Sequence, residues 1–179
     1  MQIRAADPDD IPAIVALVES SYRGDGSRLG WTTEADLLDG QRTDDDAVSD
    51  CIAADSSSVI LAVDNSRLLG CCHVKRTAEH EAYFGMLAVE PRLQGRGTGR
   101  ALVEASEEMA REQWGASRML IQVIRQRTLL IGWYERMGYA ATGDTVPFPY
   151  NDEHFGIPKR LDLEFVVLAK TLDGPTRSS

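Results

Sequence analysis

Cysteine, long apolar runs and positive charge are all scarce in this 179-residue sequence. Three cysteines are too few for a disulfide framework, and no apolar run approaches the roughly 20 residues that a membrane helix needs. The 19 basic residues face 28 acidic ones, for a net charge of −9. Broad nucleic-acid binding requires a basic surface. The composition therefore argues against membrane and nucleic-acid partners, and its acidity favours a cationic partner such as an amine.

The cysteines also bear on the cellular compartment. Cys71 and Cys72 are neighbours in a predicted strand, so their side chains point to opposite faces of the sheet. Together with Cys51 they are interpreted as small apolar residues. The first ten residues, MQIRAADPDD, lack the apolar segment of a secretion signal. Because free thiols persist in reducing compartments, we predict a cytoplasmic protein.

Hydrophobic spacing predicts a chain that mixes strands and helices. The predicted strands are 2–6, 59–63, 68–75, 81–89, 119–124, 139–142 and 162–170, and the predicted helices are 11–20, 33–40, 97–114 and 128–137. Segment 44–58 is interpreted as a solvated connection or a frayed helix, and 147–158 as a long loop. This order predicts a single α/β (α+β) domain over 1–172, followed by a disordered tail at 173–179.

A glycine-rich segment, QGRGTG at 94–99, lies between a strand and the strongest predicted helix. Glycines allow a backbone to approach a ligand closely and to adopt positive φ angles. A helix start offers unpaired N–H groups and the positive end of the helix dipole, which suits a phosphate. Arg92, Arg96 and Arg100 add local positive charge. The alternative is a glycine-rich turn that binds nothing.

Two common phosphate-binding motifs do not match this segment. The dinucleotide motif G-x-G-x-x-G requires a third glycine, but Arg100 stands there. The Walker motif requires a lysine followed by serine or threonine, and neither pair follows these glycines. A dinucleotide or nucleotide enzyme is therefore disfavoured.

The surrounding residues resemble the core motif of the GNAT acetyltransferase family. Residues 86–91, MLAVEP, precede Gln94-x-x-Gly97-x-Gly99, and the family motif is Gln or Arg, two residues, Gly, one residue, then Gly or Ala. Residues 133–139, WYERMGY, resemble the family's Tyr-x-x-x-Gly-aromatic segment. The two parts occur in the expected order and spacing, and the resemblance covers about 59–142.

The resemblance implies both a fold and a cofactor. The family has a mixed, mostly antiparallel central sheet flanked by helices, in which two parallel strands splay apart and open a cleft for acetyl-CoA. The backbone of three strand residues would pair with the pantetheine arm: Leu87, Ala88 and Val89. Backbone N–H groups of the loop would hold the pyrophosphate: Gln94, Gly95, Arg96, Gly97, Thr98 and Gly99. No metal is implied.

The resemblance also implies a catalytic acid. Tyr134, four residues before Gly138, matches the family's tyrosine. A phenol with a pKa near 10 suits protonation of a departing thiolate, and a backbone N–H near Leu87 would stabilise the oxyanion. The alternative for Tyr134 is packing against Leu130 with its hydroxyl in water.

Several residues are candidates for the general base. Alignment of the glycine loop puts Tyr83 where many relatives carry a glutamate, and Glu81 lies two residues earlier on the same strand face. We predict that Glu81 acts as the base through a water molecule, against the alternative of a solvated carboxylate at a strand end. His73 and His80 are further candidates.

Substrate contacts are predicted outside the motif. Tyr22, Trp31 and Tyr150 lie near acidic residues, and aromatics with carboxylates can enclose an ammonium group. Packing within loops and a homodimer contact are the alternatives. Arg127 occupies a position where relatives often carry an asparagine, so that contact is not carried over, and the arginine either pairs with a CoA phosphate or faces solvent.

These residues predict an N-acetyltransferase. It would move an acetyl group directly from acetyl-CoA to the primary amine of a small molecule or peptide. A non-catalytic acyl-CoA-binding or regulatory module is the alternative, because the glycine loop would survive loss of the base.

Overall fold

A computed structural model describes residues 1–172, so the predicted disordered tail, 173–179, lies outside the described residues. The strands are β1 (Gln2–Ala5), β2 (Leu38–Asp39), β3 (Ser57–Asp64), β4 (Arg67–Ala78), β5 (Glu81–Val89), β6 (Arg118–Ile124), β7 (Ala140–Pro147), β8 (Ile157–Pro158) and β9 (Glu164–Thr171). The α-helices are α1 (Ile11–Tyr22), α2 (Gly24–Ser27), α3 (Asp45–Ala53), α4 (Thr98–Trp114) and α5 (Thr128–Glu135). Short 3₁₀ helices cover Pro8–Asp10, Pro91–Leu93 and Glu153–Phe155.

Seven strands form one sheet in the order β1-β3-β4-β5-β6-β9-β7, and β2 pairs with β8 in a separate ladder. The β5–β6 pair is parallel, and the other neighbours in the large sheet are antiparallel. The parallel pair follows from the crossover through α4, because parallel strands cannot be joined by a tight turn. The predicted fold class, a mostly antiparallel mixed sheet flanked by helices, is confirmed.

The two faces of the sheet bury separate apolar cores. On one face α1 and α3 cover a cluster that includes Val18, Val48 and Cys71, and on the other α4 and α5 cover a cluster that includes Cys72 and Phe84. The alternation of side chains along a strand separates the two adjacent cysteines, as predicted. Both thiols are free and buried.

One local prediction from the sequence is wrong, and one alternative that was left open is decided. The predicted helix at 33–40 is instead a turn followed by β2, and Glu34 is held in a buried ion pair with Arg127. Segment 44–58 contains α3, which Asp44 caps by accepting a hydrogen bond from the Ala47 N–H at 2.8 Å. Aspartates in the first turn favour the helix through its dipole. Val48, fully buried, anchors the helix to the sheet.

Within residues 1–172, no helix combines the length and apolar character needed to cross a membrane.

Candidate active site

The site begins where β5 and β6 separate. Their pairing runs only from Glu81 opposite Arg118 to Phe84 opposite Ile121. Beyond it β5 has an extra residue relative to β4, since the partners of Cys71 and His73 on β5 are three residues apart. Met86 adopts φ 49°, a left-handed conformation that is unusual for a residue with a side chain. A bulge of this kind bends a strand, so residues 85–89 lie beside β4 alone and leave a cleft towards β6.

The glycine loop closes one end of this cleft. Gly95 and Gly97 have φ angles of 81° and 91°, which a residue with a side chain adopts only at a cost. Gly97 is the N-cap of α4 and no side chain caps the helix. The N–H groups of the first turn are therefore available to a ligand, next to the positive end of a 17-residue helix.

A cavity of about 530 Å³ fills the cleft between β5, the glycine loop and α5. Its lining includes Leu87 and Val89 on the strand and Trp133 and Tyr134 on the helix. The charged residues of the lining are all arginines: Arg100, Arg127 and Arg136. A largely apolar cavity with a cationic rim suits a ligand that joins an apolar arm to phosphate groups.

Tyr134 lies at the inner end of the cavity. Its ring makes edge contacts with Trp133, Tyr139 and Phe84, at centroid distances of 4.9, 5.6 and 6.4 Å. The hydroxyl makes no hydrogen bond to any of residues 1–172, whereas that of Tyr139 donates to Glu107 at 3.0 Å. Burial raises the pKa of Tyr134 well above its usual value, so the hydroxyl keeps its proton.

Tyr22 meets Tyr134 from the α1 side of the cleft. Its hydroxyl donates a short hydrogen bond to the carbonyl oxygen of Leu87. Arg42 and Arg127 lie on its ring, with guanidinium carbons 5.4 and 5.5 Å from the ring centroid. Burial raises the pKa of Tyr22 to about 12. Tyr22 therefore acts as a neutral donor that fixes the orientation of the Leu87–Ala88 peptide group.

Residues 30–34, here called the strap, bridge the cleft. On the β5 side, the Gln94 side chain accepts a hydrogen bond from the Trp31 N–H at 2.9 Å and donates to the Thr32 hydroxyl at 2.8 Å. On the β6 side, Arg127 donates to the Thr32 carbonyl oxygen at 2.5 Å. Trp31 also packs edge-on against Trp133 at 6.1 Å. The strap thus covers the cavity by holding both of its walls.

Glu34 anchors the strap in a buried charge network. Its carboxylate bonds Arg127 at 2.7 Å and Arg23 at 2.8 Å, and all three side chains are at most 10% exposed. Burial alone would raise the pKa of Glu34, but the charges of Arg127, Arg42 and Arg23 outweigh it and hold this pKa below its usual value. Arg127 therefore ties the strap to α5 rather than facing solvent.

Comparison with known proteins identifies the family. The model of the acetyltransferase (GNAT) family matches residues 17–139. The chain belongs to the GNAT acetyltransferase family. Mycothiol acetyltransferase of Salinispora tropica is 33% identical over 91 residues, which cover 48% of this chain and 30% of that relative's length. Because the match covers less than a third of that longer protein, its activity is not assigned to this chain.

Solved structures share the GNAT fold at low sequence identity. The ribosomal-protein-alanine N-acetyltransferase of Brucella melitensis superposes with a TM-score of 0.72 at 18% identity, over 96% of this chain and 99% of its own. The yncA protein of Salmonella typhimurium, solved with its cofactor acetyl-CoA, superposes with a TM-score of 0.68 at 20% identity, over 97% of this chain and 95% of its own.

The predicted cofactor residues of this GNAT chain gather mostly at the cavity. The lining includes Leu87, Val89, Gln94, Gly95, Gly97, Thr98 and Gly99. The side chain of Ala88 points into the core beneath α1, and that of Arg96 is exposed on the loop; the predicted contacts of both residues concern their backbone groups. The side chain of Gln94 additionally binds the strap.

The predicted catalytic pair is not brought together. Tyr134 lines the cavity, but Glu81 does not. Glu81 is six residues before Leu87 on β5, about 20 Å along an extended strand, and pairs with Arg118 at 3.5 Å. His73 and His80 also lie outside the lining. His73 is bonded to Ser57 at 2.8 Å, and burial lowers its pKa to about 4.

Of the three predicted substrate residues, two line the cavity and one does not. Tyr22 and Trp31 line the cavity. Tyr150 does not, because its hydroxyl is bonded to the backbone of Leu163 and its ring packs on Phe148 at 5.1 Å. Sequence reasoning missed Arg42 on Tyr22 and the pairing of Glu34 with Arg127. Neither has a local sequence signal, because 93 residues separate Glu34 from Arg127.

Proposed function

We propose that this protein transfers the acetyl group of acetyl-CoA to the primary amine of a small molecule or peptide. The observation that best supports this is the presence, in one cavity, of the uncapped start of α4 and the unbonded hydroxyl of Tyr134. The first suits a phosphate and the second suits proton donation to a leaving group. Membership of the acetyltransferase family and the acetyl-CoA in the yncA structure support this choice of cofactor.

The residues of the cavity fit acetyl-CoA. The N–H groups of the glycine loop and of the first turn of α4 would bind the pyrophosphate, with Arg100 and Arg136 adding positive charge. The open edge of β5 at 85–89 would pair with the amides of the pantetheine arm. When bound, acetyl-CoA supplies a thioester carbonyl that an amine can attack.

Two groups of the chain would act on the transfer itself. A backbone N–H at the bulge near Leu87 would donate to the oxygen that becomes negative as the amine attacks. Tyr134 would give its proton to the sulfur as the carbon–sulfur bond breaks. The nitrogen, which gains the bond to carbon, would release one proton to solvent, and Tyr134 would regain one proton from solvent. Tyr22 would hold the bulge in place by its bond to the Leu87 carbonyl oxygen.

The acceptor would enter as the neutral amine. The lining of the cavity contains neither a carboxylate nor a histidine, and Glu81 lies apart from it, so we leave Glu81 out of the proposed steps. A lysine-like amine has a pKa of about 10.4 and is mostly protonated at pH 7. The rate should therefore rise with pH as the neutral fraction of the amine grows.

The lack of a carboxylate or histidine in the lining also favours a second candidate function. A cavity that binds acyl-CoA without a residue to accept the amine's proton could serve as a non-catalytic acyl-CoA-binding module. In that case acetyl-CoA would bind, but no amine would increase its turnover.

One experiment separates the two functions. Binding of acetyl-CoA is measured by calorimetry, and thiol release from acetyl-CoA is then followed over panels of small amines and peptides. We expect binding together with amine-dependent thiol release. Binding without release on any acceptor would support the binding module, and a lack of binding would contradict both functions.

A further inference from the structure

Six basic residues have no carboxylate oxygen within 4.0 Å of their side-chain nitrogens among residues 1–172, although acidic residues outnumber basic ones in the chain. They are Arg42, Lys75, Arg76, Arg92, Arg96 and Arg136. Arg92 and Arg96 lie just before and within the glycine loop, and Arg136 lines the cofactor cavity from the end of α5, so the phosphates of a bound cofactor would balance these three. Arg76 lies on the other face of β4 from Lys75. Arg42 and Lys75 lie elsewhere, on the α1 face of the sheet. Their lack of acidic partners calls for a separate explanation.

Arg42 lies beside the inner end of the cavity. Its half-buried guanidinium group stacks on Tyr22, whose hydroxyl is bonded to Leu87. The N–H groups of Arg42 and Thr43 donate to one oxygen of Glu19 at 2.6 and 2.8 Å, which fixes the backbone beneath the guanidinium. Arg42 is thus held beside Tyr22, and its guanidinium group forms no salt bridge within residues 1–172.

Lys75 approaches the same place along β4. It is the register partner of Tyr83 on β5, and its ammonium lies 5.7 Å from the centre of the Tyr83 ring. The Tyr83 ring leans along the strand over Gly85, since a Cβ built there would come within 2.8 Å of the ring. Burial raises the pKa of Tyr83, and the positive charge of Arg42 opposes that rise.

The acidic groups nearby are already engaged. Glu34 is bound between Arg23 and Arg127, and Glu81 pairs with Arg118. Glu19 accepts the two backbone N–H groups of Arg42 and Thr43. Around Tyr22 and Tyr83, four basic side chains face two acidic ones: Arg23, Arg42, Lys75 and Arg127 against Glu19 and Glu34. The region between Tyr22 and Tyr83 therefore carries an excess of positive charge, in spite of the net charge of the chain. A polycationic acceptor would be repelled there, whereas anionic oxygens would be attracted.

We propose that the acceptor carries a carboxylate or phosphoryl group close to its amine, and that Arg42 and Lys75 bind this group beside Tyr83. The inference rests on the proposed acetyl transfer and narrows its substrate class. Arg42 would provide two parallel N–H donors to anionic oxygens, and Lys75 a single charged donor. The amine would then face the bulge at Met86–Leu87, where the acetyl group is expected.

The test compares acceptors that differ only in the anionic group. Amino acids are paired with their amides, amino alcohols with their phosphate esters, and spermidine serves as a polycation. We expect the anionic member of at least one pair to have a kcat/KM about 10- to 100-fold higher, through KM, as the loss of a charged hydrogen bond would predict. The two series separate carboxylates from phosphates. Equal values for both members of every pair, or preference for spermidine, would overturn the inference.

Variants locate the preference in the chain. Arg42→Ala should remove most of the preference for the anionic acceptor by raising its KM. Arg42→Lys should retain part of this preference. Arg76→Ala is the matched control, since Arg76 is next to Lys75 but on the opposite face of β4 and should change nothing. A preference that survives in Arg42→Ala would contradict the inference. Calorimetry with acetyl-CoA shows whether each variant is folded.

Different results would contradict the proposed acetyl transfer and the proposed anion-binding site. Lack of acetyl-CoA binding would count against the proposed function, whereas acetylation of neutral and anionic amines alike would leave that function intact and remove the acceptor site. If acetyl-CoA binds but no acceptor reacts, affinities of each pair for the CoA-bound protein provide the same comparison by calorimetry.

Discussion

The side-chain oxygen of Gln94 accepts a hydrogen bond from the backbone N–H of Trp31 at 2.9 Å, which joins the glycine loop to the strap. The same side chain donates to Thr32 and to the carbonyl oxygen of Val89, so it links three segments of the cavity wall. A Cβ at Gly30 would lie 2.6 Å from this oxygen, so glycine is required for the close approach. The Gln94 side chain therefore fastens the glycine loop to the strap directly.

We predict that Gln94→Ala loosens the strap. Loss of hydrogen bonds at 2.8 to 3.2 Å should speed amide hydrogen exchange at residues 30–33 and weaken acetyl-CoA binding by about tenfold. Hydrogen-exchange mass spectrometry and calorimetry measure the two effects. Gln113→Ala, on the exposed face of α4, is the matched control. Unchanged exchange in Gln94→Ala would show that the strap is held by Arg127 and Trp133 alone.

Two glycines of the loop should respond differently to alanine. Gly97 has a φ of 91°, so Gly97→Ala should lower the free energy of unfolding by about 1–2 kcal/mol and weaken acetyl-CoA binding. A Cβ at Gly99 would meet Trp133 and Val89 at ordinary distances of 3.6 and 3.7 Å. Gly99→Ala should therefore leave stability unchanged or slightly higher. Thermal and chemical denaturation measure the difference, and equal losses in both variants would contradict this explanation.

Tyr134→Phe tests the proposed acid. We expect kcat to fall by about 10²- to 10⁴-fold, the usual contribution of general acid catalysis, with little change in acetyl-CoA affinity. Burial raises the pKa of Tyr134, so the wild-type protein should lose no activity through its deprotonation up to a pH of about 10. Tyr139→Phe, which removes a buried hydroxyl outside the cavity, should keep its kcat. An unchanged kcat in Tyr134→Phe would rule out the acid role.

Glu34→Gln tests the buried network that anchors the strap. Removing the charge leaves Arg23 and Arg127 without a counter-ion, which should cost about 3 kcal/mol of unfolding free energy. The control Glu108→Gln, on an exposed helix face, should cost nothing measurable.

The contribution of Glu34 should also depend on pH. Its folded-state pKa is lower than its unfolded value, so its stabilisation is fully present above a pH of about 4.5 and disappears as the pH falls through the folded pKa. The difference in stability between the wild type and Glu34→Gln should therefore shrink below that pH. Denaturant unfolding of both proteins between about pH 3 and 7 measures it, and a constant difference would contradict this linkage.

Local features of the sequence predicted the elements that carry the glycine loop. The bounds of β5 were predicted correctly and α4 to within one residue, because Pro91, the glycines and Gly115 mark their ends. The helix predicted at 33–40 is wrong, and the buried pairing of Glu34 with Arg127, 93 positions away, has no local sequence signal. The β2–β8 ladder was also missed, since two residues are too few for a pattern.

The parts of the candidate site that are formed by neighbouring residues in the sequence were the parts that the sequence could predict. Seven of the nine predicted cofactor residues line the cavity, because a loop and a helix start are specified within a few residues. The strap meets the glycine loop through a contact between residues 63 positions apart, and Arg42 reaches Glu19 over 23 positions; no periodicity records either contact. Glu81 was predicted because it shares a strand face with Tyr83. Its distance from the cavity along β5, rather than the face that it occupies, explains why it does not line the cavity.

The extra residue at Met86 has one more consequence for the sheet. Between Glu81 and Phe84, β5 is an interior strand with neighbours on both sides, whereas beyond the bulge it becomes an edge strand inside the molecule. Edge strands invite association with other chains, and proteins usually protect them. Here α1 packs on this strand, and residues of the strap and of α5 line the cavity beside it. The exposed backbone groups of the edge therefore border the cavity, where a ligand could pair with them.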